Sequence, residues 1–227
     1  MTFIFLFNPK IKIIWIHFNS KSNLKKFQIK NEIIMSGYYK NTKGEIFPLE
    51  KQYVVDLSYK NIVELVLPNG CKEVNCYGNK LTKLIIPEGC KKVFCWSNIL
   101  TELILPEGCE EVNCSGNKLT ELIIPKGCEK VNCRNNQLTK LIIPEYCGVV
   151  YCSRNKLTEL IIPEGCEIVD CSVNKLTELV LPESCKNVYC HNNKLTELVL
   201  PESSKRVECD LKSLTELNKV KELNLYI

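Results

Sequence analysis

Several residue types and motifs that would indicate a specific chemistry are missing from this 227-residue sequence. It contains no alanine, only two histidines and no C-x-x-C pair, so it lacks the spacing of zinc ribbons and dithiol redox sites. No nucleophile elbow, phosphate-binding loop or metal-binding motif occurs either. We therefore expect a protein that is not an enzyme and that has no cofactor or bound metal.

Positive charge is scarce outside the first segment of the chain. Residues 1–34 contain six lysines and one glutamate, whereas the remainder has 24 basic and 25 acidic residues. The formal net charge of +4 therefore comes from the first segment. A folded part without an excess of basic residues has no electrostatic field for DNA or RNA, so we expect no nucleic-acid partner.

Residues 1–34 differ in composition from the rest and form a predicted leader or tail. The segment lacks the roughly 20 apolar residues of a membrane-spanning helix and a small-residue cleavage site, so neither a membrane partner nor secretion is expected. Two alternatives are favoured over a signal segment: the segment is a disordered or cap-forming tail, or natural translation starts at Met35 and the segment is not made. In either case we expect a cytoplasmic protein.

A strict repeat dominates the remainder. Proline recurs every 19 residues, at positions 68, 87, 106, 125, 144, 163, 182 and 201. Asparagine and valine follow the same period, and a cysteine stands two residues after each valine. A unit of 19 residues is too short for a strand and a full helix, and its proline would interrupt a helix. Each unit is therefore predicted to form one coil of a solenoid that stacks on its neighbours.

The repeat pattern resembles that of the leucine-rich repeat family. Its L-x-x-L-x-L-x-x-N-x-L stretch appears here with Cys71, Val74, Cys76, Asn79 and Leu81 at the defining positions. The second half of the unit is similar to short repeats of some bacterial effectors and of giant viruses that infect amoebae. The resemblance implies a mostly β solenoid of about nine 19-residue coils, with short parallel strands on the concave face and little helix. It also implies protein binding, in the host cytoplasm if the protein is viral.

The two ends of the array depart from the repeat. Residues 35–51 are predicted to be an N-terminal cap, residues 52–210 the leucine-rich repeat array, and residues 211–227 a C-terminal cap. Lys60 and Lys212 stand where complete units have asparagine. Atypical terminal coils are expected because they shield an otherwise open core and sheet edge.

The 15 cysteines are best explained as core residues. They occupy positions where the repeat family has buried aliphatic side chains, and a free cysteine behaves as a small apolar residue. A ladder of disulfides is compatible with the spacing of stacked strands but needs an oxidising compartment. The recurring asparagine is likewise predicted to be structural, with its amide bonded to the backbone of adjacent coils.

Variation within the strict repeat marks the candidate binding residues. Two outward-facing columns contain aromatic and charged side chains where other coils have asparagine or serine. We predict one aromatic cluster of Tyr77, Phe94 and Trp96, and a looser group with Asp170 between its tyrosines. The second group comprises Arg134, Tyr151, Tyr189 and His191. Exposed tryptophan, tyrosine and arginine are enriched at binding hot spots, so the partner expected is an unidentified protein or peptide.

A further column of β-branched residues lies between two inward-facing apolar positions. It comprises Val66, Ile85, Ile104, Ile123, Ile142, Ile161, Val180 and Val199. We favour a backbone that turns this column partly inward. The alternative is an exposed stripe on the convex face, which would suit a structural or self-assembling protein and a possible homodimer. The leading functional hypothesis remains a non-catalytic protein-binding module that uses its concave sheet.

Overall fold

The computed structural model describes residues 37–210, which form short β-strands joined by turns. In chain order the strands are β1 Gly37–Asn41, β2 Ile46–Leu49, β3 Val54–Asp56, β4 Ile62–Val66, β5 Glu73–Asn75, β6 Lys83–Ile85, β7 Lys92–Phe94, β8 Glu111–Asn113 and β9 Lys130–Asn132. They continue with β10 Lys140–Ile142, β11 Val149–Tyr151, β12 Glu159–Ile161, β13 Ile168–Asp170, β14 Glu178–Val180, β15 Asn187–Tyr189, β16 Glu197–Val199 and β17 Arg206–Glu208. None of the described residues forms a helix that could cross a lipid bilayer.

Nine of these strands form one continuous parallel sheet, which we call the long sheet. Its order is β17-β15-β13-β11-β9-β8-β7-β5-β3. Each strand pairs with its neighbour at a register of 19 residues, as in the pairing of Val74 with Val93 and of Val93 with Val112. The predicted coil length, the parallel pairing and the number of coils are therefore confirmed.

Shorter sheets cover the opposite side of the solenoid. Strands β4 and β6, β10 and β12, and β14 and β16 pair in parallel with the same 19-residue register. At the N-terminal end, β1 and β2 form an antiparallel hairpin, and β1 also pairs with β4. The hairpin therefore extends the sheet that contains β4 and β6. It lies within the predicted cap of residues 35–51, whose boundaries remain a prediction.

The core is a set of parallel columns between the two sides. The central valine of each long-sheet strand faces inward, as do two leucine columns and both cysteine columns. Of the 15 cysteines, 14 are buried and Cys209 is half-buried, so the predicted core position of the thiols is confirmed. Burial raises the pKa of Cys114, Cys147 and Cys166 to about 12 and that of Cys185 to about 11. All 15 are free thiols in the structure, and no described group of histidine, cysteine and acidic residues is arranged to hold a metal ion.

The asparagine column ties each coil to the one before it. Asn98 Oδ1 accepts a hydrogen bond from the backbone N–H of Leu81 at 2.9 Å, and Asn98 Nδ2 donates to the carbonyls of Cys76 and Cys95, both at 3.0 Å. Corresponding bonds recur along the column, confirming its structural role. Its members are Asn79, Asn98, Asn117, Asn136, Asn155, Asn174 and Asn193.

The expectation that the β-branched column turns inward is wrong. Ile104 and Ile123 are 81% and 82% exposed, and Ile85, Ile142, Ile161 and Val180 are exposed as well. The reason is an extended backbone on this side, which forms strands in some coils only and turns each of these residues outward next to buried neighbours such as Leu103, Leu122 and Ile124. Val66 is half-buried, and the side chain of Val199 lies outside the described ones.

The predicted terminal segments fall largely beyond the described part of the chain. Residues 1–34 lie outside it entirely, as do residues 211–227 of the predicted C-terminal cap. The alternatives for these segments therefore remain sequence-based expectations.

Candidate protein-binding surface

The outer surface of the long sheet displays the residues that vary from coil to coil. Each strand on this sheet has only three residues, with a central inward valine and an outward residue on either side. The residue directly after the second cysteine of each coil, such as Trp96 after Cys95, is a further outward position. Because every coil has the same register, these positions form straight columns along the solenoid.

The first cluster is a stack of aromatic rings near the N-terminal end. The rings of Tyr77 and Trp96 are nearly parallel, with centroids 4.0 Å apart and an interplanar angle of 6°. Tyr59 meets the edge of Tyr77, with centroids 4.9 Å apart. Tyr59 is 67% exposed, and the other two rings are half-buried. The stack therefore presents a preassembled aromatic surface to solvent.

Tyr59 is missing from the residues predicted for this cluster, although the glycine one period later could have indicated it. Tyr59 belongs to the degenerate first coil and stands 19 residues before Gly78. A side chain at position 78 would meet the Tyr59 ring, because a Cβ placed there would lie 2.4 Å from Tyr59 Cε1. The glycine leaves space for that ring and thus belongs to the construction of the cluster.

Phe94 has no described ring contact with this stack. It ends strand β7 and is half-buried between Asn75 and Asn113 on the neighbouring strands. Trp96 lies two residues beyond the strand end, and the buried Cys95 separates it from Phe94. Tyr77 and Trp96 come together as predicted, and Tyr59 takes the third position that was expected for Phe94.

The second cluster is centred on an ion pair. Arg134 donates from Nη2 to Asp170 Oδ2 at 2.5 Å and from Nε to the same oxygen at 3.1 Å. Its guanidinium also lies over the Tyr151 ring, 4.2 Å from the centroid, and Nε contacts Ser153 Oγ at 3.1 Å. Arg134 therefore links three coils. The sequence predicted that Arg134 lies near Tyr151 and Asp170, and in the structure it contacts both directly.

Asp170 stands in one of the outward-facing columns, yet its side chain is buried. Its Oδ1 accepts hydrogen bonds from the backbone N–H and the hydroxyl of Ser172, at 3.1 and 2.6 Å. Although burial opposes ionisation, these bonds and those from Arg134 hold the pKa of the Asp170 carboxyl below its usual range. Asp170 is thus an ionised anchor for Arg134.

Tyr189 and His191 complete the second cluster. They line an open pocket of about 260 Å³ together with Arg134, Tyr151, Asp170 and two residues on the strands between them, Ile168 and Asn187. Arg206 lies over the Tyr189 ring at 5.3 Å and pairs with Glu208 at 2.6 Å. The structure brings together all four residues predicted for the second group, and Asp170, predicted between its tyrosines, bonds directly to Arg134.

A protein of known structure resembles this chain in its fold. No family model matches the sequence, and no curated protein sequence matches it significantly. A solved structure similar to this chain is YopM from Yersinia enterocolitica WA-314, with 23% sequence identity and a TM-score of 0.56. The match covers 69% of this chain and 44% of YopM, so the present chain spans less than half the length of that protein. Together with the 19-residue coils, this likeness shows that the chain adopts a leucine-rich-repeat solenoid fold.

Proposed function

We propose that this protein is a non-catalytic protein-binding module whose binding face is the outer surface of the long sheet. The observation that carries the proposal is the partly exposed stack of Tyr59, Tyr77 and Trp96 on a regular scaffold. Aromatic side chains bury a large area on binding and lose little conformational freedom when they are already held in place. The solenoid fold supports the proposal because stacked repeats form extended binding surfaces.

Truncation of the aromatic stack is expected to weaken partner binding strongly without unfolding the protein. The double variant Tyr77→Ala/Trp96→Ala removes two side chains that only partly contact the core, and hot-spot truncations of this kind cost about 2 kcal/mol or more of binding free energy. We expect at least a tenfold loss in capture of binding proteins from extracts of the native host, with a similar melting temperature. Quantitative pull-down and thermal unfolding measure the two quantities.

Tyr146→Gly is the matched control for this experiment. Tyr146 is also an exposed tyrosine, at 77%, but it lies in a turn away from the stack. Its φ of 64° suits glycine, which occupies the equivalent position in the next coil at Gly165. Equal capture by wild type and the double variant would remove the stack from the binding face.

A second candidate function is self-association through the exposed β-branched stripe. Its support is the exposure of Ile104 and Ile123, which places large apolar side chains in water. Two rows that are mostly acidic flank the stripe. One comprises Lys83, Glu102, Glu121, Lys140, Glu159 and Glu178, and the other Glu88, Glu107, Lys126, Glu145, Glu164 and Glu183. Two such faces would repel each other at low ionic strength, so association should strengthen as salt screens these charges.

The double variant Ile104→Lys/Ile123→Lys is expected to remain monomeric where the wild type associates. Light scattering over a range of protein concentrations, at about 0.05 and 0.5 M salt, measures the association and its screening. Ile99→Lys is the matched control, because Ile99 is exposed outside the stripe and other coils have lysine at that position. A wild type that stays monomeric at both salt concentrations would eliminate this candidate.

A further inference from the structure

The pocket of the second cluster contains an arginine whose orientation is fixed before any ligand arrives. Its Nε and Nη2 bind Asp170, Nε also contacts Ser153, and its plane lies over Tyr151. Because these contacts come from different coils, the guanidinium cannot rotate without losing several of them. A preoriented guanidinium loses less conformational entropy on binding than a flexible one.

The donors of Arg134 are only partly used by these contacts. A guanidinium has five N–H groups, and those described here engage Nε and Nη2 only. The side chain is 37% exposed, and Arg134 contributes to the wall of the pocket. Nη1 is therefore a hydrogen-bond donor that remains for a ligand in this pocket.

The carboxylates at the pocket, by contrast, are already occupied. Both oxygens of Asp170 accept hydrogen bonds, from Ser172 on one side and from Arg134 on the other. Glu208, near the far wall, pairs with Arg206. A cationic ligand would have to break one of these pairs, whereas an anionic ligand can use a donor that is available. The chemistry of the pocket therefore favours an acid.

The dimensions of the pocket limit the ligand to one or two side chains or a group of that size. Its volume of about 260 Å³ lies at or below the lower end of the range for small-molecule sites, about 300–1,000 Å³. Tyr151 and Tyr189 are cross-strand partners of Asp170 on either side, so their strands lie roughly 10 Å apart. Ile168 lies on the strand between them and provides an apolar contact.

We propose that this pocket binds a carboxylate attached to an apolar or aromatic group, as presented by an acidic residue beside an aromatic one in a partner polypeptide. The carboxylate bonds to Arg134, and the apolar group lies against Ile168 between the walls formed by Tyr151 and Tyr189. Asp170 is a positioning residue that holds Arg134 in its binding orientation. This inference rests on the proposed function and names the chemistry that one part of the binding face recognises.

Binding of three probes to the full chain tests the proposal. The probes are an end-capped peptide with an internal Phe-Asp pair, the same peptide with Phe-Asn, and free 3-phenylpropionate. Titrations followed by NMR report binding through the amide signals of residues 149–191. We expect the Phe-Asp peptide to bind at least tenfold more tightly than the Phe-Asn peptide, because an ionised acceptor bonds more strongly to a guanidinium. Binding of 3-phenylpropionate alone would contradict a polypeptide source.

Variants of two arginines on successive coils assign the effect to one residue. Arg134→Gln should reduce the affinity for the Phe-Asp peptide to that for the Phe-Asn peptide. Arg154→Gln, at an exposed position on the next coil, should leave both affinities unchanged. Arg134→Lys keeps the charge and should give intermediate affinity, because lysine lacks the planar donor arrangement.

Equal affinity for the two peptides in wild type, or an unchanged affinity in Arg134→Gln, would overturn the inference. These failures are distinguishable from a failure of the proposed function. Host-protein capture that depends on Tyr77 and Trp96 would persist if only the chemistry of the Arg134 pocket were wrong.

Discussion

Raising the pH from 8 to 10 is expected to remove a large part of the stability of this protein. Burial raises the pKa of four core thiols from an unfolded value of 9.0 to about 11 or 12; they are Cys114, Cys147, Cys166 and Cys185. A thiol with a higher pKa in the folded state stabilises the fold at pH values below the unfolded pKa. That contribution is lost as the pH rises toward the folded pKa, because the unfolded chain then releases protons that the folded chain retains.

The size of the effect follows from the same relation. Between pH 8 and pH 10 each of these thiols lowers the free energy of unfolding by about 1.3 kcal/mol, and the four together by about 5 kcal/mol. The total stability of a typical domain is about 5–15 kcal/mol, so the loss is comparable with the whole. Urea unfolding at several pH values measures the loss, and thiolate absorbance should rise together with the loss of β-structure.

The double variant Cys114→Ala/Cys166→Ala controls for other groups that titrate in this range. It should be less stable than wild type at pH 8, because two small cavities replace the sulfur atoms. Its loss between pH 8 and pH 10 should be smaller than that of wild type by about 2.6 kcal/mol, since two ionising thiols are gone. A pH dependence equal to that of wild type would show that the buried thiols do not govern alkaline unfolding.

Asn136→Ala is expected to lower the free energy of unfolding by about 3 kcal/mol. Asn136 Oδ1 accepts a hydrogen bond from the backbone N–H of Leu119 at 3.0 Å. Its Nδ2 donates to the carbonyls of Cys114 and Cys133, both at 3.1 Å. Alanine would leave these buried backbone groups without their partner, and an unsatisfied buried polar group costs about 1–3 kcal/mol.

Gln137→Ala provides the neighbouring control. Gln137 also has an amide side chain, but its Oε1 accepts a hydrogen bond from the exposed Lys156 Nζ at 3.0 Å. Its removal should change stability by less than about 0.5 kcal/mol. Denaturant unfolding of both variants gives the comparison, and similar small losses for the two would refute the structural role assigned to the asparagine column.

Much of the fold could be predicted because the repeat determines its geometry. Once Val74, Val93 and Val112 are recognised as equivalent, the register of the long sheet and the inward position of the cysteines follow. The β-branched column was harder, because Ile104 and Ile123 are apolar and apolar residues are usually turned away from water. The local alternation of the extended backbone overrides that preference, and sequence alone does not show which of the two prevails.

On the candidate surface, only contacts between side chains in the same column could be predicted. Tyr77 and Trp96 are one period apart, so their contact follows from the repeat itself. Phe94 and Trp96 are two residues apart in one coil, and this spacing does not specify whether their rings meet. The diagonal contact of Arg134 with Asp170 joins side chains 36 residues apart and depends on the length and rotamer of the arginine, which the period does not specify.

The direction of the asparagine bonds has a consequence for how the gene can change. Each asparagine accepts from an N–H 17 residues earlier and donates to a carbonyl 22 residues earlier, so every junction between coils uses the same contacts. Duplication or loss of 19 codons anywhere inside the array therefore rejoins equivalent partners, whereas a change of any other length leaves a junction with mismatched ones. Homologous chains with longer or shorter arrays are accessible in single recombination steps that conserve the packing of every remaining unit.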